Sequence, residues 1–184
     1  EVGDITVELL TEMAPVNVNN FIALANAGYY DGTHFYEVIE DIVAVSGDPL
    51  EDGSGSPGYV VNDELVDNAF TDAGWLGSAQ LAPDSNTGQF FFTLGDASWL
   101  TERFTPLGMV IDGLDVLNRI ELRDPAQAPE SPGTLIQRID ISTAASSSLP
   151  DPTPTPEPLA PTTPPEGERP LSEIDPQARD GYYN

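Results

Sequence analysis

Proline placement divides this chain. Ten of the eighteen prolines fall in residues 146–184, and from 150 to 158 every second residue is proline. Proline fixes φ and removes a backbone donor, so such a run joins neither a helix interior nor a central strand. Alternating proline favours an extended polyproline II spacer instead. Any packed core must therefore come from residues 1–145. The sequence predicts a globular domain over 1–145 and a proline-rich extended tail over 146–184. Leu171, Ile174, Tyr182 and Tyr183 near its end are expected to act as apolar anchors.

Within the domain the hydrophobic pattern is mostly that of strands. Residues 4–9 alternate, with Ile5, Val7 and Leu9 on one face, the mark of a half-buried strand. Ala14 and Pro15 open a helix, since proline suits its first turn. Val16, Phe21, Leu24 and Ala25 are expected on its buried side, and Gly28 ends it. Residues 34–45, 89–93 and 104–111 read as strands, and 53–58 as a Gly/Ser/Pro loop. Residues 113–120 predict a short helix, with Leu114, Leu117 and Ile120 at helical spacing. Residues 134–142 predict a closing strand, with Leu135 or Ile136, Ile139 and Ile141 facing inward.

Charge narrows the function classes. The formal net charge is -25, and all six cations are arginine. Such a field repels nucleic acid and anionic membranes, so no nucleic-acid partner is expected. The absence of cysteine excludes disulfides and thiol chemistry. The single histidine, His34, excludes a multi-histidine metal centre. The acidic clusters Glu37/Glu40/Asp41, Asp48/Glu51/Asp52 and Asp63/Glu64 lack EF-hand spacing and read as solvated surface. Neither a metal nor a cofactor is expected. No apolar run approaches the ~20 residues of a membrane span. A start at Glu1 without methionine, the missing cysteines and the Thr/Pro-rich tail favour a secreted or cell-surface protein. A halophilic cytosol would also suit an acidic, lysine-free surface.

Two stretches carry the chemistry. Residues 35–49 read Phe-Tyr-Glu-Val-Ile-Glu-Asp-Ile-Val-Ala-Val-Ser-Gly-Asp-Pro, and 83–93 read Pro-Asp-Ser-Asn-Thr-Gly-Gln-Phe-Phe-Phe-Thr. Gly3-Asp4-Ile5, Asn20-Phe21, Gly28 to Gly32, Gly74, Leu76, Trp99-Leu100, Leu107-Gly108 and Asp112-Gly113 add landmarks in order. Together, over about 2–141, they resemble the cyclophilin-type peptidyl-prolyl isomerases. The resemblance implies a mainly β fold: an eight-stranded antiparallel β-barrel capped by two helices, closed so that few strand edges are exposed. It also implies a groove for extended X-Pro peptides. Ile42, Val43, Phe91, Leu100 and Phe104 match the apolar proline pocket, and Trp99 its rim. Gln89 matches a glutamine that bonds the peptide backbone, and Ala79 and Gln80 match a pair that offers it a backbone contact.

At the catalytic position the resemblance breaks. The family's arginine falls on Glu37, the histidine just before it on Tyr36, and the glutamine before its Gly-Gly-Asp on Val45. Prolyl rotation must break amide resonance, whose barrier is about 18–20 kcal/mol. The arginine bonds the prolyl group and favours a pyramidal nitrogen. An ionised carboxylate cannot donate. Losing one well-placed donor costs about 2.7–4 kcal/mol, roughly 10²–10³ in rate. Arg103 is the nearest candidate in sequence to replace the missing cation.

The sequence therefore favours a degenerate, extracellular cyclophilin-like protein, a pseudo-enzyme acting as a structural subunit. Its expected partners are other copies of itself, in a homo-oligomer or filament built through residues 150–184. Only Glu1 and Val2 precede Gly3, where family members carry a first strand. Either residues upstream of Glu1 fill that slot, or, if Glu1 is the true start, it invites another segment of this chain or of a neighbour by strand addition. The alternatives are a peptidyl-prolyl cis-trans isomerase of low activity and a monomeric module that binds proline-containing peptides.

Overall fold

The computed structural model describes residues 2–127 and 131–143. The tail over 146–184, with its expected anchors, lies outside the described residues. Six strands form one antiparallel sheet in the order β1-β6-β4-β5-β3-β2. They are β1 (Thr6–Leu9), β2 (Glu37–Ile39), β3 (Val43–Ser46), β4 (Trp75–Ser78), β5 (Phe90–Thr93) and β6 (Pro106–Asp112). Isolated bridges His34–Leu135, Val38–Arg123 and Val61–Asn86 extend the pairing beyond these strands.

β1 shows the predicted alternation, with Val7 and Leu9 half-buried against the core and Thr6 and Glu8 exposed. Helix α1 (Pro15–Asn26) begins at the expected proline. Ala14, which precedes it, has no oxygen to cap the free amides. The Glu64 carboxylate does so from across the fold, accepting from Val16 N at 3.0 Å and Asn17 N at 2.8 Å. An anion at a helix N-terminus also suits the helix dipole. Val18, Phe21, Leu24 and Ala25 are buried. Val16 is not: it lies on the far side of the helical turn from Phe21 and is 58% exposed.

Residues 34–45 do not form one strand. Asp41 takes a φ of 57°, and the turn it makes separates β2 from β3. The two pair as a hairpin, Glu37 opposite Val45 and Ile39 opposite Val43. β5 then joins β3 to β4, with Phe91 opposite Val45 on one side and Gly77 on the other. The predicted helix over 113–120 shortens to α2 (Leu114–Leu117), entered through Gly113 at φ 87°. Leu117 and Ile120 are buried, whereas Leu114 is exposed. Residues 134–142 form no strand. Leu135 bridges His34, while Ile136, Ile139 and Ile141 pack half-buried against the core without a ladder. On its outer side β1 likewise has no ladder partner among the described residues.

Two apolar clusters lie on opposite faces of the sheet, and β5 serves both. Its side chains alternate between faces with period two. Phe90 and Phe92 enter the cluster under α1, with Phe21, Tyr30, Phe35 and Leu107. Phe90 meets Tyr30 edge-on at 5.3 Å and Phe21 at 5.6 Å. Phe91 points the other way, into a second cluster. A Cβ at Gly77 would lie 2.3 Å from the tip of that ring, so β4 carries glycine where Phe91 crosses it.

Candidate functional site

The second cluster gathers the residues that the sequence assigned to a proline pocket. Val43 of β3 and Phe91 of β5 share one face of the sheet. Leu100 arrives on a short 3-10 turn (Ser98–Leu100), Phe104 on the following loop, and Ala79 just after β4. Phe91 and Phe104 meet edge-on at 5.5 Å. Ile42 and Trp99 pack on the cluster partly buried, at its margin. The floor is closed, with Phe91 at 0% and Leu100 at 1% exposure. Phe70, a residue the sequence reading passed over, helps to close it. It packs 5.3 Å from Phe91, fully buried, despite a left-handed φ of 58°. It comes from an irregular loop, where no periodicity points to burial. Its bulk among polar neighbours is the only signal.

Gln89 is also in place, but its amide is occupied. It accepts from Tyr36 Oη at 2.7 Å and donates to the carbonyls of Gly53 and Gly55 at 3.1 and 3.0 Å. The 53–58 loop is thus tied to the site. Buried Asp48 shapes the preceding turn, accepting from Leu50 N at 2.7 Å and Gly53 N at 2.6 Å. A Cβ at Gly55 would lie 1.8 Å from Asp48 Oδ1, so only glycine fits there. Burial, reinforced by the charges of Glu37, Asp48 and Asp52, holds the Tyr36 hydroxyl protonated as the donor in this arrangement. Gln80 turns outward, donating to the carbonyl of Arg103 at 2.7 Å.

Glu37 corrects one expectation. The acidic cluster to which it belongs reads as solvated, and Glu40 and Asp41 are exposed. Glu37 itself is 1% exposed. The reason is register: it sits opposite Val45 and shares the inward side of that pair. Neither carboxylate oxygen has a hydrogen-bond partner among the described residues. Burial first, and then the negative charge of Asp124, push its pKa from 4.5 to about 7.

Among the described residues no guanidinium takes the place of the missing cation. Arg103 is exposed, and among the described residues no ion pair joins it to Glu37. Arg123 lies beside β2, but its guanidinium donates to the carbonyls of Ser131, at 2.9 Å, and Tyr36. Of the acidic groups, Glu51 pairs with His34. No group of three or more His, Cys, Asp or Glu among the described residues has the placement to hold a metal ion. No described helix is long and apolar enough to cross a membrane.

Comparison with known proteins matches this arrangement to one family. The model described as "Cyclophilin type peptidyl-prolyl cis-trans isomerase/CLD" matches residues 1–141. Peptidyl-prolyl cis-trans isomerase ppi1 of Schizosaccharomyces pombe is 40% identical over 145 residues, 76% of this chain and 94% of that protein. Peptidyl-prolyl cis-trans isomerase-like 1 of Homo sapiens is 41% identical over 122 residues, 64% of this chain and 74% of that protein. Among solved structures, a cyclophilin type isomerase of Cryptosporidium parvum, crystallised in the presence of the dipeptide Ala-Pro, superposes with a TM-score of 0.71. It shares 30% identity and covers 78% of this chain and 95% of that one.

Proposed function

The chain belongs to the cyclophilin-type peptidyl-prolyl cis-trans isomerase family, and from that premise we propose that it binds prolyl peptide segments on its second cluster but turns them over slowly at neutral pH. The proline ring would rest on Val43, Phe91, Leu100 and Phe104, with Ile42 and Trp99 at the rim and the Ala79–Gln80 backbone alongside. Gln89 would have to release its loop carbonyls to reach the peptide. The single observation carrying the reading is Glu37, a buried carboxyl without a hydrogen-bond partner among the described residues, where the family resemblance places an arginine.

The test uses the full chain and an N-capped Ala-Pro peptide, followed by NMR at pH 7.5. Binding is expected to shift the resonances of Phe91, Leu100 and Trp99. The catalysed exchange rate is expected to lie several-fold below that of an arginine-bearing relative, and roughly 10² below it near pH 9, where Glu37 is ionised. A rate equal to the relative's contradicts slow turnover, and an absence of shifts at the cluster contradicts binding.

A second reading, an extracellular subunit that assembles with its own copies, has one observation in its favour. Among the described residues the outer edge of β1 is unpaired, and Ile139 and Ile141 are only half-buried. Unpaired edges accept added strands. The full chain and a chain ended after Ala145 are to be sized at moderate salt. Larger assemblies from the full chain alone support tail-mediated assembly, and two monomers contradict it.

A further inference from the structure

Prolyl rotation needs a hydrogen-bond donor rather than a cation as such. Twisting the C–N bond takes the nitrogen lone pair out of conjugation. The nitrogen becomes pyramidal and basic, and an O–H or N–H aimed at it stabilises the twisted state. A protonated carboxyl carries such an O–H, whereas an ionised one carries none. Glu37 lies on the face that could supply it, beneath the cover that a bound prolyl segment would have to part. It faces the same side as Val43 and Val45, is 1% exposed, and spends neither oxygen on a hydrogen bond among the described residues.

Its surroundings favour the neutral form. Val45 across the ladder offers no polar group. Tyr36, next to it, has its hydroxyl bound to Gln89. Asp124, in the segment bridged to β2, opposes a second negative charge. Arg123 is turned to the carbonyls of Tyr36 and Ser131 and forms no ion pair with Glu37. A proline ring settling over the cluster would exclude water further and so hold the proton in place.

We propose that protonated Glu37 is a catalytic residue of this chain, donating its O–H to the nitrogen of the twisted prolyl amide. The inference rests on the reading that prolyl segments bind this face. The proton stays on Glu37 throughout, and no covalent bond is made or broken. Isomerisation is then an acid-side activity. It is full at low pH, declines as pH rises through about 7, and falls about tenfold per pH unit beyond. An arginine, charged at every working pH, gives a flat profile over the same range.

The experiment measures catalysed exchange of an N-capped Ala-Pro peptide by NMR, with the full chain, at pH 5.5, 6.5, 7.5 and 8.5. The wild-type rate is expected to fall roughly tenfold per unit above pH 7. Glu37→Gln, with a non-titrating N–H donor of similar shape, is expected to give a flat profile and to exceed wild type at pH 8.5. Glu37→Ala is expected to lose catalysis throughout. A flat wild-type profile overturns the proposal, and so does an undiminished rate in Glu37→Ala at pH 5.5. Peptide-induced shifts are read in the same samples. Binding without catalysis at pH 5.5 overturns this proposal alone, whereas no binding at any pH overturns the binding reading and this one with it.

Discussion

Glu37→Arg is expected to raise the prolyl isomerisation rate by about tenfold at pH 8 and by roughly 10² at pH 9. At that pH the wild-type carboxyl is mostly ionised, since its pKa lies at about 7. It then offers no donor and repels the prolyl carbonyl oxygen. A guanidinium at the same position restores a permanent donor on the face of the sheet that carries Val45 and Phe91. The local field helps: the charge of Asp124, which opposes ionisation of Glu37, attracts a cation. The cost is steric. Glu37 is 1% exposed, and overpacking a buried site typically costs about 1–3 kcal/mol. Rates are therefore compared well below the melting temperature, on samples whose circular dichroism matches wild type. Exchange NMR on an Ala-Pro peptide gives the rates directly. A folded variant no faster than wild type would mean that the lost arginine does not limit turnover, and would shift blame to Tyr36 or Val45.

Glu37→Gln is expected to stabilise the fold at pH 8 while leaving it nearly unchanged at pH 4. The native carboxyl holds its proton to about pH 7, against 4.5 for the free side chain. A native pKa above the unfolded one means that the folded chain binds more protons between those values. Stability from this group is thus fully present below about 4.5 and is lost as pH rises through about 7. Each tenfold change in proton affinity is worth about 1.4 kcal/mol, so the loss amounts to about 3 kcal/mol by pH 8. Glutamine does not ionise and escapes it. Denaturant unfolding of both proteins at pH 4 and pH 8 reads the difference. The same variant effect at both pH values would show that Glu37 titrates like a solvated carboxylate.

Much of the fold was legible because β structure writes itself in period two. The alternation of Ile5, Val7 and Leu9 marked β1. The family resemblance, rather than any periodicity, grouped Phe91 with Val43, Leu100 and Phe104, and the structure puts all four in the second cluster. Pro15 and Gly28 bounded α1 through local backbone chemistry alone. What stayed hidden depends on contacts between distant segments. No local pattern says that Glu64 caps a helix 47 residues away, or that Gln89 bonds the carbonyls of Gly53 and Gly55. Phe70 is buried from a loop, where periodicity has no meaning. Asp41 breaks residues 34–45 into a hairpin through a φ of 57°, a conformation open to aspartate but not demanded by it.

Glu37 shows the gap most plainly. Its identity announced the loss of the family's cation, yet its company of Glu40 and Asp41 suggested a wet surface. Only the register opposite Val45 reveals that it lies in the dry side of the sheet. Burial changes its chemistry more than its sequence does. An exposed glutamate there would simply disable the site, while a buried one exchanges a permanent donor for a conditional one.

The state of that single carboxyl decides the account. A pH titration of the Glu37 side-chain carboxyl carbon by ¹³C NMR, on the full chain and assigned by its disappearance in Glu37→Gln, observes it directly. A midpoint near 7 is the predicted result. A midpoint near 4.5 would mean that the group is solvated and ionised under all ordinary conditions, leaving neither a neutral donor nor a pH-dependent loss of stability.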